Sequence, residues 1–190
     1  MNSIAKSELI LGGQKSGKSR RAEQLARQWL EASPEHHAVL IATAQPWDDE
    51  MRQRISRHQV DRAQRVPGMR TVEEPLHLAQ VLQTHSRADT LIVVDCLTLW
   101  LTNWLMPATP VAPESAVQAM NVPLLLQTLE QAAGPVVLVG NEIGLGVIPL
   151  GREVRAFVDA LGQLNQQVAA ACSRVTLMAA GLPLTLKDLA

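Results

Sequence analysis

Two cysteines in 190 residues, Cys96 and Cys172, are too few and too far apart to supply a disulfide framework or a thiolate metal cluster. Charge of either sign is not in surplus either. Seventeen Lys and Arg against eighteen Asp and Glu leave a formal net charge of −1, so nothing draws the chain generally toward nucleic acid or anionic lipid. No apolar run approaches the roughly 20 residues of a membrane-spanning helix. The N-terminus lacks the charged-then-apolar pattern of a secretory signal, and no internal repeat is present. These absences make a cytoplasmic protein the expectation, with no membrane span and no nucleic-acid partner. Any recognition of phosphate must then come from local geometry.

What is present suits one compact domain over residues 1–190. Hydrophobic residues make up 47% and charged ones 18%, too apolar for a disordered chain and ample for a core. Leu9-Ile10-Leu11, Ala38 to Ala42, Leu91 to Val94 and Val136 to Val139 are continuous apolar runs of the kind buried on both faces of a parallel sheet. Helical spacing follows the first of them, at Ala22, Leu25, Ala26, Trp29 and Leu30. It recurs from Gly151 to Cys172 at Val154, Phe157, Val158, Leu161, Leu164 and Val168. Val175 to Met178 and Leu182 to Leu186 read as two closing strands joined around Gly181, the last being the candidate for an antiparallel setting. The alternation predicts an α/β fold with a mostly parallel central sheet flanked by helices. Only Pro107 to Gln118, with three prolines among small residues, reads as an irregular loop.

Between the first strand and first helix stands Gly12-Gly13-Gln14-Lys15-Ser16-Gly17-Lys18-Ser19, which satisfies G-x-x-x-x-G-K-[ST] in the context that motif requires. Glycines let the backbone curl so that successive amides point at phosphate oxygens, and the helix N-terminus adds a favourable dipole. Lys18 suits the β- and γ-phosphates of ATP or GTP, and Ser19 offers a hydroxyl to Mg²⁺. Asp95, ending the strand Leu91 to Val94, is the expected carboxylate partner of that metal. With glycine at about 7% of residues, the motif arises by chance in a chain this long less than about 1% of the time. No Asn-Lys-x-Asp guanine-reading motif is present, which argues against a Ras-like GTPase and leaves a small transferase or kinase.

Four separated segments narrow this further: Gly12 to Arg20, Ile41 to Gln45 through Asp48-Asp49-Glu50-Met51, Arg54-Ile55-Ser56-Arg57-His58, and Asn141 to Gly146. On these the chain resembles the bifunctional adenosylcobinamide kinase/adenosylcobinamide-phosphate guanylyltransferase family of cobalamin biosynthesis, from about Glu8 to Lys187. The resemblance implies a P-loop nucleotide-binding fold and two reactions. Adenosylcobinamide is phosphorylated, and GMP from GTP is then transferred to adenosylcobinamide phosphate through a guanylylated histidine, giving adenosylcobinamide-GDP and pyrophosphate. It also implies a homotrimer.

Carried over residue by residue, the nucleophile is His58, and a neutral imidazole is chemically able to attack the α-phosphate. Relatives often have two adjacent histidines where this chain has Arg57-His58, so any supporting role of the first is lost. Thr43, Ala44, Gln45, Gln59, Val60, Asp61, Arg62, Glu73 and Asp95 match nucleotide-site positions. Without the resemblance, Thr43 reads as a strand-end hydroxyl capping a turn and Glu73 as a solvated loop acid. If Asp49 to Arg62 is helical, His58 shares a face with Met51, Arg54 and Ile55 and is expected to turn inward beside cationic groups. Trp100 and Trp104, one helical turn apart, are expected in the core. Asn141 to Gly146 is a substrate-site or interface candidate with no catalytic atom assigned. Two other readings fit the phosphate loop: a small-molecule kinase that never guanylylates itself, and a nucleotide-sensing module without turnover.

Overall fold

The computed structural model describes residues 4–107 and 120–189; the proline-bearing loop therefore lies, beyond Pro107 itself, outside the described residues. Thirteen elements alternate along them. They run β1 (Ser7–Gly12), α1 (Lys18–Ala32), β2 (His37–Ala42), α2 (Asp49–Arg65), β3 (Arg70–Glu73), α3 (Leu78–His85), β4 (Thr90–Asp95) and α4 (Leu97–Leu105). Next come α5 (Val122–Glu130), β5 (Val136–Val139), α6 (Arg152–Ala171), β6 (Arg174–Ala179) and β7 (Leu182–Asp188). The strands form one sheet in the order β3-β2-β4-β5-β1-β6-β7. Every neighbouring pair is parallel except β6 with β7, which is antiparallel, as the short turn at Gly181 requires.

The apolar runs explain this arrangement. In β1, Leu9 and Leu11 face one side of the sheet and Ile10 the other, and all three are buried. The first side packs against α3, α4, α5 and α6 through Leu82, Trp100, Leu125 and Leu164. The second receives α1 through Ala22, Leu25 and Ala26. Each fully buried leucine of this kind contributes about 1.5–3 kcal/mol. Trp100 is buried as expected, and its indole N–H donates to the Leu76 carbonyl at 2.8 Å.

Two expectations need correction. Arg70–Glu73 is a strand, so Glu73 sits on the sheet's edge and not in a loop. Helix α2 forms over Asp49–Arg65, capped by the Asp48 carboxylate accepting from the Met51 N–H at 2.7 Å, yet none of its residues is buried. His58 is therefore exposed, not turned inward: Met51 and Ile55 are only half-covered, and they are too few to seat the helix on the core.

Candidate functional site

Because β1 to β5 all run the same way, their carboxyl ends meet at one edge, where open α/β sheets bind ligands. That edge gathers Gly12–Ser19 after β1, Thr43–Gln45 after β2, Glu73 at the end of β3, Asp95 at the end of β4 and Asn141–Gly146 after β5. Residues far apart in sequence thus share one rim.

The phosphate loop is shaped by close approach. A Cβ at Gly12 would lie 2.5 Å from the Met178 carbonyl oxygen and 2.6 Å from Ser16 Oγ, so only glycine fits. Gly17 adopts φ 102°, in the left-handed region that favours glycine, and leads directly into α1. The Gly181 N–H donates to the Ser16 carbonyl at 3.0 Å, tying the loop to the β6–β7 turn. Ser16 Oγ is buried with no hydrogen-bond partner among the described residues. Lys18 is buried, and its ammonium donates to the Gly13 carbonyl at 2.6 Å. Burial lowers its pKa; Cys96 and Asp95 act against this, and Arg54 on α2 lowers it further.

Thr43 is wholly buried and its polar groups are spent inside the protein. Its hydroxyl donates to the Cys96 carbonyl at 2.7 Å and accepts from the Cys96 N–H at 2.8 Å, while its own N–H donates to the Asp95 carbonyl at 3.1 Å. Asn103 Nδ2 donates to the Thr43 carbonyl at 2.8 Å and to that of Pro75 at 3.0 Å. The side chain therefore fixes the Asp95–Cys96 turn and has nothing left to offer a nucleotide. Cys96 and Cys172 are buried thiols whose pKa burial pushes up to about 12, which suits neither to nucleophilic work.

The α2 residues are held by polar contacts. Gln59 Nε2 donates to Glu73 Oε1 at 3.4 Å, Arg65 bridges Glu23 and Asp61 at 3.1 Å each, and Val60 is exposed. Arg62 is half-covered, and no α2 residue lines the cavity beside the phosphate loop. Among the described residues no group of three or more His, Cys, Asp or Glu forms a cage for a metal. A hydroxyl at Ser19 and a carboxylate at Asp95 are nonetheless the hard oxygen donors that Mg²⁺ takes when nucleotide phosphates and water complete its shell.

Sequence reasoning flagged the Asn141–Gly146 loop without seeing what it does at the rim. The Glu142 N–H donates to the Gly12 carbonyl at 3.1 Å, and Glu142 lines a cavity of about 410 Å³ together with Gly13–Ser16 and Leu177–Ala180. The pairing of β1 with β5 and with β6 brings these positions together, and local sequence carries no signal of it.

The chain is similar to known proteins over nearly its whole length. Residues 8–186 match the model of the family described as cobinamide kinase / cobinamide phosphate guanyltransferase. The bifunctional adenosylcobalamin biosynthesis protein CobP of Pseudomonas aeruginosa is 47% identical over 180 residues, covering 95% of this chain and 96% of its own. The bifunctional adenosylcobalamin biosynthesis protein CobU of Escherichia coli is 34% identical over 188 residues, covering 94% and 98%. Among solved structures, the flagellar accessory protein FlaH of Methanocaldococcus jannaschii superposes with a TM-score of 0.53 at 12% identity, covering 98% of this chain and 80% of its own, a likeness of fold alone.

Proposed function

The chain belongs to the cobinamide kinase / cobinamide phosphate guanyltransferase family, and on that premise we propose that it carries out both reactions at the rim described above. It phosphorylates adenosylcobinamide with ATP or GTP, then transfers GMP from GTP to adenosylcobinamide phosphate, releasing pyrophosphate. The observation that carries this reading is the phosphate loop, in which Gly12 and Gly17 set the curl and the buried Lys18 ammonium donates to the Gly13 carbonyl.

In the kinase step the amides of Gly13–Ser19 and the Lys18 ammonium hold the β- and γ-phosphates, stabilising the charge that develops as the γ-phosphoryl leaves. Mg²⁺, held by Ser19 and Asp95, would supply further neutralisation of the triphosphate. In the guanylyl step His58 Nε2 or Nδ1 attacks the α-phosphorus, the bond to the pyrophosphate oxygen breaks, and the loop retains the leaving group. Arg54 precedes His58 by one helical turn, so the face that presents the nucleophile also presents a cation to the phosphates. Since α2 buries no residue, bringing His58 to the nucleotide exchanges polar contacts and disrupts no core packing. Gln45, Ala44, Gln59, Val60, Asp61, Arg62 and Glu73 line the approach on the β2–β3 side, with Thr43 acting through Asp95.

The exposure of His58 favours one rival, a kinase that never guanylylates itself. GTP labelled at the α-phosphate separates the two. Wild type is expected to retain acid-labile, base-stable label and His58→Ala none; a wild type that stays unlabelled under turnover overturns the covalent mechanism. The exposed Leu182 and Leu184 of β7 offer an apolar strip that a second copy would cover, and with the family resemblance the protein reads as a cytoplasmic homotrimer. Light scattering that reports a single chain mass would overturn the trimer.

A further inference from the structure

Resting on the kinase reading, we propose that Glu142 is the general base of the phosphorylation step, taking the proton of an acceptor hydroxyl delivered through an apolar groove beside α6. The groove, about 860 Å³, runs between Ile143–Pro149 and α6 and is floored by Leu11, Val175 and Leu186. Its volume lies in the range of cofactor-sized sites. Exposed Leu145, Val147 and Ile148 form one lip, while Gln163, Gln166 and Asp159 of α6 put polar groups along the other. A bulky apolar ring system carrying amide arms and a terminal alcohol matches that combination.

Continuity with the phosphate loop selects this occupant. Glu142 and Leu145 line both the groove and the smaller cavity at Gly13–Ser16, so a molecule seated in the groove has its reacting end at the triphosphate. Asp159 lines only the groove. Glu142 is also built to hold position. Its N–H is fixed on Gly12, and Asn141 is held on both sides, by its N–H to Thr98 Oγ1 at 2.8 Å and by Asn165 Nδ2 donating to its carbonyl at 3.0 Å. Glu142 Oε1 accepts from the Gly144 N–H at 2.7 Å, and Oε2 has no protein partner among the described residues. At the far end Arg155 donates to the carbonyls of Pro149 and Leu150 and pins the lip.

The step balances simply. The alcohol oxygen forms its bond to the γ-phosphorus, the bond from that phosphorus to the β–γ bridging oxygen breaks with its electron pair leaving on the nucleoside diphosphate, and the hydroxyl proton passes to Glu142 Oε2 and then to water.

Two variants test it. Glu142→Gln keeps an acceptor for the Gly144 N–H. It is expected to lower the rate of adenosylcobinamide phosphorylation relative to guanylyl transfer onto adenosylcobinamide phosphate by about 10²–10⁴-fold. An unchanged ratio overturns the assignment, whether both rates hold or both fall together. Gly162→Leu adds a side chain where a Cβ meets nothing within 4 Å on the groove-lining face of α6. It is expected to raise KM for the acceptor about tenfold or more while leaving KM for ATP in place, and an unmoved acceptor KM overturns the groove. A changed oligomeric mass with unmoved KM would assign the groove to a second copy. Wild-type protein that turns over neither acceptor overturns the functional reading itself, and this proposal with it.

Discussion

Helices α1 and α2 each follow a strand at the same sheet edge, have similar lengths of 15 and 17 residues, and are anchored in opposite ways. Helix α1 buries Lys18, Ala22, Glu23, Leu25 and Ala26, so the loop ahead of it is set by the core. Helix α2 buries nothing and is held by Arg65 on Glu23, Gln59 on Glu73 and its own cap. The contrast suits the two duties proposed for these helices. A triphosphate cradle gains from rigidity, because donors fixed in advance need no reorganisation as charge develops. A covalent carrier has to meet one substrate and then another, which suits a helix with little packing to lose.

The contrast can be broken in order of expected effect. Lys18→Ala should depress both phosphorylation and guanylyl transfer by about 10³-fold, since both reactions depend on the cradle; steady-state assays on the two acceptors would show one activity surviving if the loop served only one. Leu25→Ala should cost about 2–5 kcal/mol in urea unfolding, because α1 is a core element. Thr43→Val should cost about 1–3 kcal/mol by leaving the Cys96 backbone groups unpaired in a buried site, with Thr43→Ser recovering most of it. On α2 the matching change should scarcely register. Ile55→Ala is expected to shift stability by less than about 1 kcal/mol while reducing GTP-derived label on His58, and a larger loss of stability would show that α2 is core after all.

The two thiols supply a prediction independent of either helix. Their folded pKa of about 12 lies above the ordinary value of 9.0, so their contribution to stability is complete below pH 9. The unfolded chain releases these protons first, and stability should fall as pH rises from 9 toward 12, by about 1.4 kcal/mol per pH unit for each thiol. Urea midpoints across that range, compared with Cys172→Ala, would show the slope.

What the sequence revealed follows the same division. The strands β1, β2, β4 and β5 each contain a continuous apolar run, and the phosphate loop is a local pattern, so both are legible without coordinates. The closing hairpin is marked by Gly181, and its antiparallel pairing is forced by the short turn. Strand β3, reading Arg-Thr-Val-Glu, carries one apolar residue in four and is an edge strand with little to bury, so no pattern distinguishes it from a loop. Spacing places Met51, Ile55 and His58 on one face of α2. Whether anything packs on that face depends on strand order, which periodicity does not encode. Glu142 escapes for the same reason, lying 130 residues from Gly12 until β5 pairs with β1. Thr43 was legible as a strand-end hydroxyl, but the partner it clamps lies beyond two intervening helices and strands.

The bond from the Gly181 N–H to the Ser16 carbonyl, and the Met178 carbonyl pressed against Gly12, have a consequence for how the protein is made. The residues of the cradle are made long before positions 178 and 181, which supply contacts that set its curvature. Domains tend to fold as units as synthesis proceeds. Until those positions are made, the nascent chain carries the triphosphate-binding sequence without the contacts that shape it.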